Sequence, residues 1–431
     1  MTSPALAEEV SSLSSSVAYA LQHNRSLAAA ASQTEAAKAQ VDAATGQLLP
    51  RLNVSTGVYR TNSPLNSFGS KLLQAQVSAA DFAPDVLNNP EYINNYQSRL
   101  GLNLPLYNGG AAYAARNKAF ANAEAASLNF EFHKQQLIYQ TIVAYVQARQ
   151  ALAQVQAQEK AVQAAEQRLK DAKALKKRGM AINSDVMDAN VYVLRAQLGL
   201  DHAKNQYQNS LEALRLILGM DANQTLGKLA EPNIQAVQAS LDELLASALQ
   251  HRADLLALVR QEEAAAASTA QAKSGYMPHV NLTAAREWNG DTFGFKNGNN
   301  SVGLTVSMNV FSGGSDSANV RAAEAARIAL SLQQEDKRQQ IQNEVRQAWR
   351  SLHLAKTKLT SEKQAYAQTT ESLRIKALRH QQGLETTSDL LAAQVRANQA
   401  HVMLIRAQYD FIIAKAALLL AAGILNQEVI Q

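Results

Sequence analysis

The chain has 431 residues and a small positive excess of +5, with its basic residues spread along the length. It contains no cysteine, which excludes disulfides, thiolate metal sites, cysteine nucleophiles and cysteine-linked lipid. No basic stripe with interleaved aromatics is present, which argues against nucleic acid as a partner.

In chain order, Ala5-Leu6-Ala7 has the small-x-small form of an export cleavage site, so the chain reads as an exported protein whose signal has been removed. An alanine-rich helix follows over 9–46. After Pro50 the period changes: Leu52, Val54, Thr56 and Val58 alternate, as in a strand with one apolar face. TNSPLNSFGS, 61–70, reads as a loop. Alternation returns over 99–107, with Leu100, Leu102, Leu104 and Leu106 on one face and Gly101, Asn103 and Pro105 on the other, completing a β-hairpin over 51–107. Gly109-Gly110 closes it. The next 68 residues, up to Gly179, hold neither glycine nor proline and predict a long helix over 111–178, about 100 Å at 1.5 Å per residue. A glycine turn and a shorter helix, 181–218, follow. Residues 220–250 read as a linker.

The second half repeats the first. At an offset of 204, Gly109, Gly110, Gly179 and Gly219 map onto Gly313, Gly314, Gly383 and Gly423, and Ser184-Asp185 onto Ser388-Asp389. At an offset of 228, LLPRLNVS (48–55) maps onto YMPHVNLT (276–283), so the first copy carries 24 extra residues between Pro50 and its glycine pair. The repeats therefore span 9–219 and 251–423, the second with a hairpin over 279–311, a long helix over 315–382 and a helix over 384–422; a tail, 424–431, remains. Apolar residues in the long segments step by 3, 4 and 7, as at Leu352, Leu359, Tyr366 and Leu373, which predicts narrow coiled-coil seams.

Each hairpin adjoins a long helix, and no other segment supplies a core for its apolar face. Strands of this length suit an outer-membrane barrel. Four strands leave open edges that a bilayer does not tolerate. Two chains would make a filled eight-stranded barrel; three would make a twelve-stranded one with a passage, which predicts a homotrimer. The fold class expected is mainly α with a small transmembrane β part.

The paired layout of LPLYNGG and MNVFSGG, with the turns KRGMAINSDVMDA (177–189) and HQQGLETTSDLLAA (380–393), resembles the TolC family of outer-membrane efflux proteins from about residue 9 to 423. The resemblance implies a trimeric barrel in the outer membrane, continued into the periplasm by an α-helical tunnel. It implies the exit duct of a tripartite efflux system, served by a periplasmic adaptor and an inner-membrane pump of unspecified type. A type I protein-secretion duct would need the same tunnel. A periplasmic coiled-coil scaffold is the reading from another class, disfavoured by the greasy-faced strands.

The resemblance also implies roles for residues. Gly179, Met180, Ala181 and Ser184, with Gly383, Leu384 and Ser388, match the tip turns where adaptors dock; both glycines also suit an αL helix end. Gly109, Gly110, Gly313 and Gly314 mark strand-to-helix junctions. Asp389 matches an acidic aperture position, and Asp185 and Asp188 are further gate candidates, since the second family position is Ala392. Helix capping is the alternative for Asp185 and Asp389. Glu385 and His380 stand where some relatives carry an Arg and a Tyr that latch the closed state. The eight histidines have no ligand spacing, so no metal site is assigned. LGK at 226–228 lacks a phosphate-loop context. No cofactor and no catalytic residue is assigned, and an enzyme is not expected.

Overall fold

A computed structural model describes residues 10–221, 223–235 and 238–430. Ala5-Leu6-Ala7 lies outside them. The first copy runs α1 (Leu13–His23), α2 (Arg25–Gly46), β1 (Arg51–Thr61), a loop with α3 (Pro64–Leu73) and α4 (Pro84–Asn88), β2 (Ile93–Asn108), α5 (Ala111–Lys177) and α6 (Asn183–Leu218). The second runs α7 (Leu241–His251), α8 (Ala253–Lys273), β3 (His279–Gly290), β4 (Gly298–Ser307), α9 (Ser315–Gln381) and α10 (Thr387–Ala421). The 228 offset carries α1 onto α7, and the 204 offset carries α5 onto α9, end to end. All eight glycines paired at 204 have φ between 65° and 88°. The hairpin loops span 62–92 and 291–297, so all of the first copy's extra length falls in the longer loop.

Four expectations are corrected. The stretch 61–70 is not all loop: α3 starts at Pro64, whose fixed φ suits the first helical position. Residues 220–250 are not all linker. Ser240 and Glu243 form a capping box, Ser240 N donating to Glu243 Oε2 at 2.8 Å, and α7 begins there, so the second copy opens ten residues earlier than 251. The second hairpin does not reach 311. β4 ends at Ser307 because its partner strand starts opposite, at His279. The single helix expected over 9–46 is two, α1 from Leu13 and α2 from Arg25, broken at Asn24, whose backbone is extended. The remaining helix ends differ by up to three residues, where the turns take over.

Two compact units are present. One takes in the described residues of Met1–Thr34, Ser127–Ala257 and Gln334–Gln431. Its larger core gathers Leu13, Val17, Ile142, Tyr145, Leu214 and Leu229. A smaller core joins Leu244, Leu255, Ile341, Val345 and Leu418. The Tyr145 hydroxyl lies 3.0 Å from Ser11 O and 2.9 Å from Ala230 O, pinning the inter-repeat segment to α5. The two copies turn matching corners. Between α1 and α2, Asn24 Nδ2 donates to Ile217 O at 2.8 Å. Between α7 and α8, the equivalent residue is Arg252, buried and paired with Asp254 at 2.7 Å and with Glu344. Lys337 adds a second cation to Asp254 at 2.7 Å.

The other unit, Glu35–Ala126 with Leu258–Gln333, holds the sheet. Its order is β1-β2-β3-β4, antiparallel throughout. Helical segments join one end of the sheet and both hairpin loops the other. Ion pairs brace those segments: Arg260–Glu124 at 3.3 Å, Lys273–Glu324 at 3.1 Å and Arg327–Glu262 at 2.6 Å.

Candidate functional site

The register sorts the sheet into two chemical faces. Leu52, Leu102, Ala284 and Val302 stand side by side across all four strands, and Leu104, Leu282 and Leu304 form the neighbouring row. Because side chains alternate, the next residues form rows on the opposite face. These read Arg51-Asn103-Thr283-Gly303, Asn53-Gly101-Ala285-Ser301 and Ser55-Arg99-Glu287-Asn299. The apolar face is uncovered, with Val54 80% and Val302 77% exposed. A patch of aligned aliphatic residues on this scale marks a surface that meets lipid or another chain. Within this sheet β1 and β4 each pair on one side only. Among the described residues, no helix is long and apolar enough to cross a membrane.

The strand-to-helix junctions use glycine for two different reasons. Gly109 and Gly313 share a positive φ, but a Cβ on Gly109 would also lie 2.6 Å from Ser274 O, whereas Gly313 faces open space. Local caps complete each start. Ala112 N donates to Asn108 Oδ1 at 3.2 Å, and Asp316 N donates to Ser312 Oγ at 3.3 Å.

The tip turns lie in the helical unit. Gly179 and Gly383 both have φ of 74°, and Met180 N to Leu175 O and Leu384 N to Arg379 O, each 2.9 Å, close the same helix-ending motif twice. The returning helices are capped differently. Ile182 N donates to Asp185 Oδ2 at 3.0 Å. Asp389 N donates to Thr386 Oγ1 at 3.1 Å, and the same hydroxyl donates to Asp389 Oδ2 at 2.6 Å. Asp185 and Asp389 are thus engaged in caps. Asp188 is exposed, and no hydrogen bond or ion pair engages it among the described residues.

Around them, Lys176 Nζ donates to Asn183 Oδ1 at 2.8 Å. Glu385 sits between Lys376 at 2.5 Å and Arg379 at 3.3 Å, and His380 Nε2 lies 3.3 Å from Thr387 Oγ1. Met180, Ile182 and Leu384 are each more than 60% exposed, while Ala181 is half-buried and Ser184 and Ser388 are exposed. Sequence reading missed Ile182 and the exposed stripe behind it, Met187, Val191, Leu194 and Leu198. The signal was available: those four step by 4, 3 and 4 on a helix face.

A family model described as "Outer membrane efflux protein" matches residues 17–220 and 244–424. The chain is similar to "Outer membrane efflux protein BepC" of Brucella suis biovar 1, at 24% identity over 85% of this chain and 83% of that protein. It is 24% identical to "Outer membrane protein TolC" of Vibrio cholerae over 95% of this chain and 90% of that protein. Its backbone superposes on the crystal structure of the outer membrane protein VceC from Vibrio cholerae with a TM-score of 0.80, at 20% identity, covering 95% and 96% of the two chains.

Proposed function

The chain belongs to the outer membrane efflux protein family, and from that premise we propose that three copies close their four-stranded sheets into one twelve-stranded barrel. The protein is an outer-membrane efflux channel. The observation that carries the reading is the two-faced sheet. Its aliphatic rows meet lipid, its Asn, Ser, Thr and Gly rows line water, and its two free edges pair with neighbouring copies. The helices below the barrel form the periplasmic tunnel, and the loop end of the sheet faces outward. Transport through the duct is passive; an inner-membrane pump drives it through a periplasmic adaptor.

The adaptor docks on the tip turns, where Met180, Ile182 and Leu384 offer exposed apolar contacts beside Gly179 and Gly383. The aperture is ringed by acids. Asp188 is the acid that faces the duct most directly, because caps hold the Asp185 and Asp389 carboxylates at the starts of their helices. Two measurements test this function. The mass of the detergent complex should equal three chains; a stable monomer or dimer removes the barrel. In planar bilayers the protein should conduct and prefer cations, and Asp188→Asn should lower that preference more than Asp389→Asn does. Equal selectivity in wild type and both variants would move the gate elsewhere.

A further inference from the structure

The 62–92 loop, which carries all the extra length of the first copy, is folded against the sheet. α3 packs on β2 and β3. Ser67, Ser70 and Gln74 are buried and spaced three and four apart, on one side of the helix and its C-terminal cap. Gln74 Nε2 donates to Asn94 O at 2.8 Å and to Asn95 Oδ1 at 3.0 Å. Asn95 Nδ2 donates onward to Asn289 Oδ1 at 2.8 Å. From the short loop, Asn297 Nδ2 donates to Gln74 O at 2.8 Å and to Asn289 O at 3.2 Å.

Asn95 and Asn289 are in phase with Arg99 and Glu287, so they belong to the polar face, and Asn289 is only 1% exposed. The seat of α3 is therefore the polar side of the sheet, near its loop end. Lys71 and Asp81, 2.6 Å apart, brace the rest of the loop, and the hydrogen bond from Lys71 holds the Asp81 carboxyl down at about 2.

α3 is inverted relative to an ordinary amphipathic helix. It turns serines and a glutamine to the sheet and leaves Leu65 and Leu72, seven residues apart, 81% and 55% exposed on its other side. We propose that α3 is an inward collar at the outer mouth of the barrel, where three copies of Leu65 and Leu72 ring the axis and narrow the exit. This rests on the channel reading above. An apolar ring resists hydrated ions by shedding water and passes organic solutes with apolar surface, so the collar makes amphiphilic organic molecules the favoured cargo at the exit.

The absence of cysteine makes the test direct, because Leu72→Cys creates a unique thiol. The full chain is recorded in planar bilayers before and after a cationic methanethiosulfonate reagent is added on the loop side. Modification of Leu72→Cys should lower conductance roughly twofold or more, since charge and bulk then occupy the constriction. Val86→Cys on α4, modified to the same extent by mass, should conduct as before. Asn289→Leu, which removes the seat, should raise conductance without reagent. Unchanged current after Leu72→Cys is modified, a thiol there that the reagent cannot reach, or unchanged conductance in Asn289→Leu overturns the collar. Wild-type protein that inserts but never conducts would instead sink the channel reading, and the collar with it.

Discussion

Helices α5 and α9 have the same length, 67 residues, and occupy equivalent places in the two repeats, yet they keep different company. Ile138, Ile142 and Val146 on α5 are each no more than 2% exposed, packed with the first helices of the chain and the inter-repeat segment. Their counterparts on α9 are Gln342, Arg346 and Arg350, the two arginines exposed. Leu137 and Thr141 on α5 and their counterparts Ile341 and Val345 on α9 are buried in both copies. Duplication preserved backbone length and turn chemistry while the packing faces diverged. One long helix became the wall of a core, and the other leaves most of its surface to whatever surrounds the chain.

That contrast is most easily broken in the core. Ile142→Ala should destabilise the protein by about 2–5 kcal/mol, the usual cost of a large-to-small change at a fully buried site. Arg346→Ala should change it by no more than about 0.5 kcal/mol, as exposed substitutions do. Thermal unfolding in detergent decides, and equal shifts would end the distinction between the two helices.

The corners sharpen it next. Removing Arg252 leaves the buried Asp254 carboxylate with Lys337 as its cation among the described residues, so Arg252→Ala should cost about 3 kcal/mol. Asn24→Ala, at the matching corner, loses a cap worth about 1 kcal/mol. Burial pushes the Asp254 carboxyl up, but hydrogen bonds from Arg252 and Lys337 outweigh it and hold the group below its ordinary value. A depressed folded value stabilises at pH above the unfolded one, near 3.9, and that stability is lost as pH falls through the folded one. Acid titration of the melting point should therefore flatten in Asp254→Asn.

A subtler contrast is at Tyr145 and its counterpart Trp349. Burial pushes the Tyr145 hydroxyl up to about 12, against about 10 in an unfolded chain. A raised value means its contribution is whole below pH 10 and disappears as pH climbs toward 12. Tyr145→Phe should lose about 1 kcal/mol at neutral pH and part of the alkaline sensitivity. Trp349→Phe should leave the alkaline limb unchanged, because indole does not titrate there.

Much of this was legible in the residues. Freedom from glycine and proline marked the long helices, period two marked the strands, and the offset-204 glycines marked the turns. The divergence at 138, 142 and 146 was also open to reading, since aliphatic residues face Gln and Arg across the offset. α3 was hidden because Asn, Ser, Pro and Gly read as turn chemistry, although Pro64 stands where a helix can start. The amide network from Gln74 to Asn95, Asn289 and Asn297 could not be read, because its members come from four separate segments. At the tips, a cap and an acidic ring call for the same residue at the same position. Only hydrogen-bond geometry separated Asp185 and Asp389 from Asp188.

The equal lengths of α5 and α9 also set a rule for how such a chain can change. Deleting one residue inside either helix turns everything beyond it by about 100° and draws its turn back by about 1.5 Å. The seam behind the deletion would then present the wrong side chains, and one tip would stand out of step with the other. A second deletion, at the equivalent position of the other helix, restores the match. Length changes in these helices should therefore be inherited as pairs, whereas a hairpin loop can lengthen alone, as the one between Thr61 and Ile93 has.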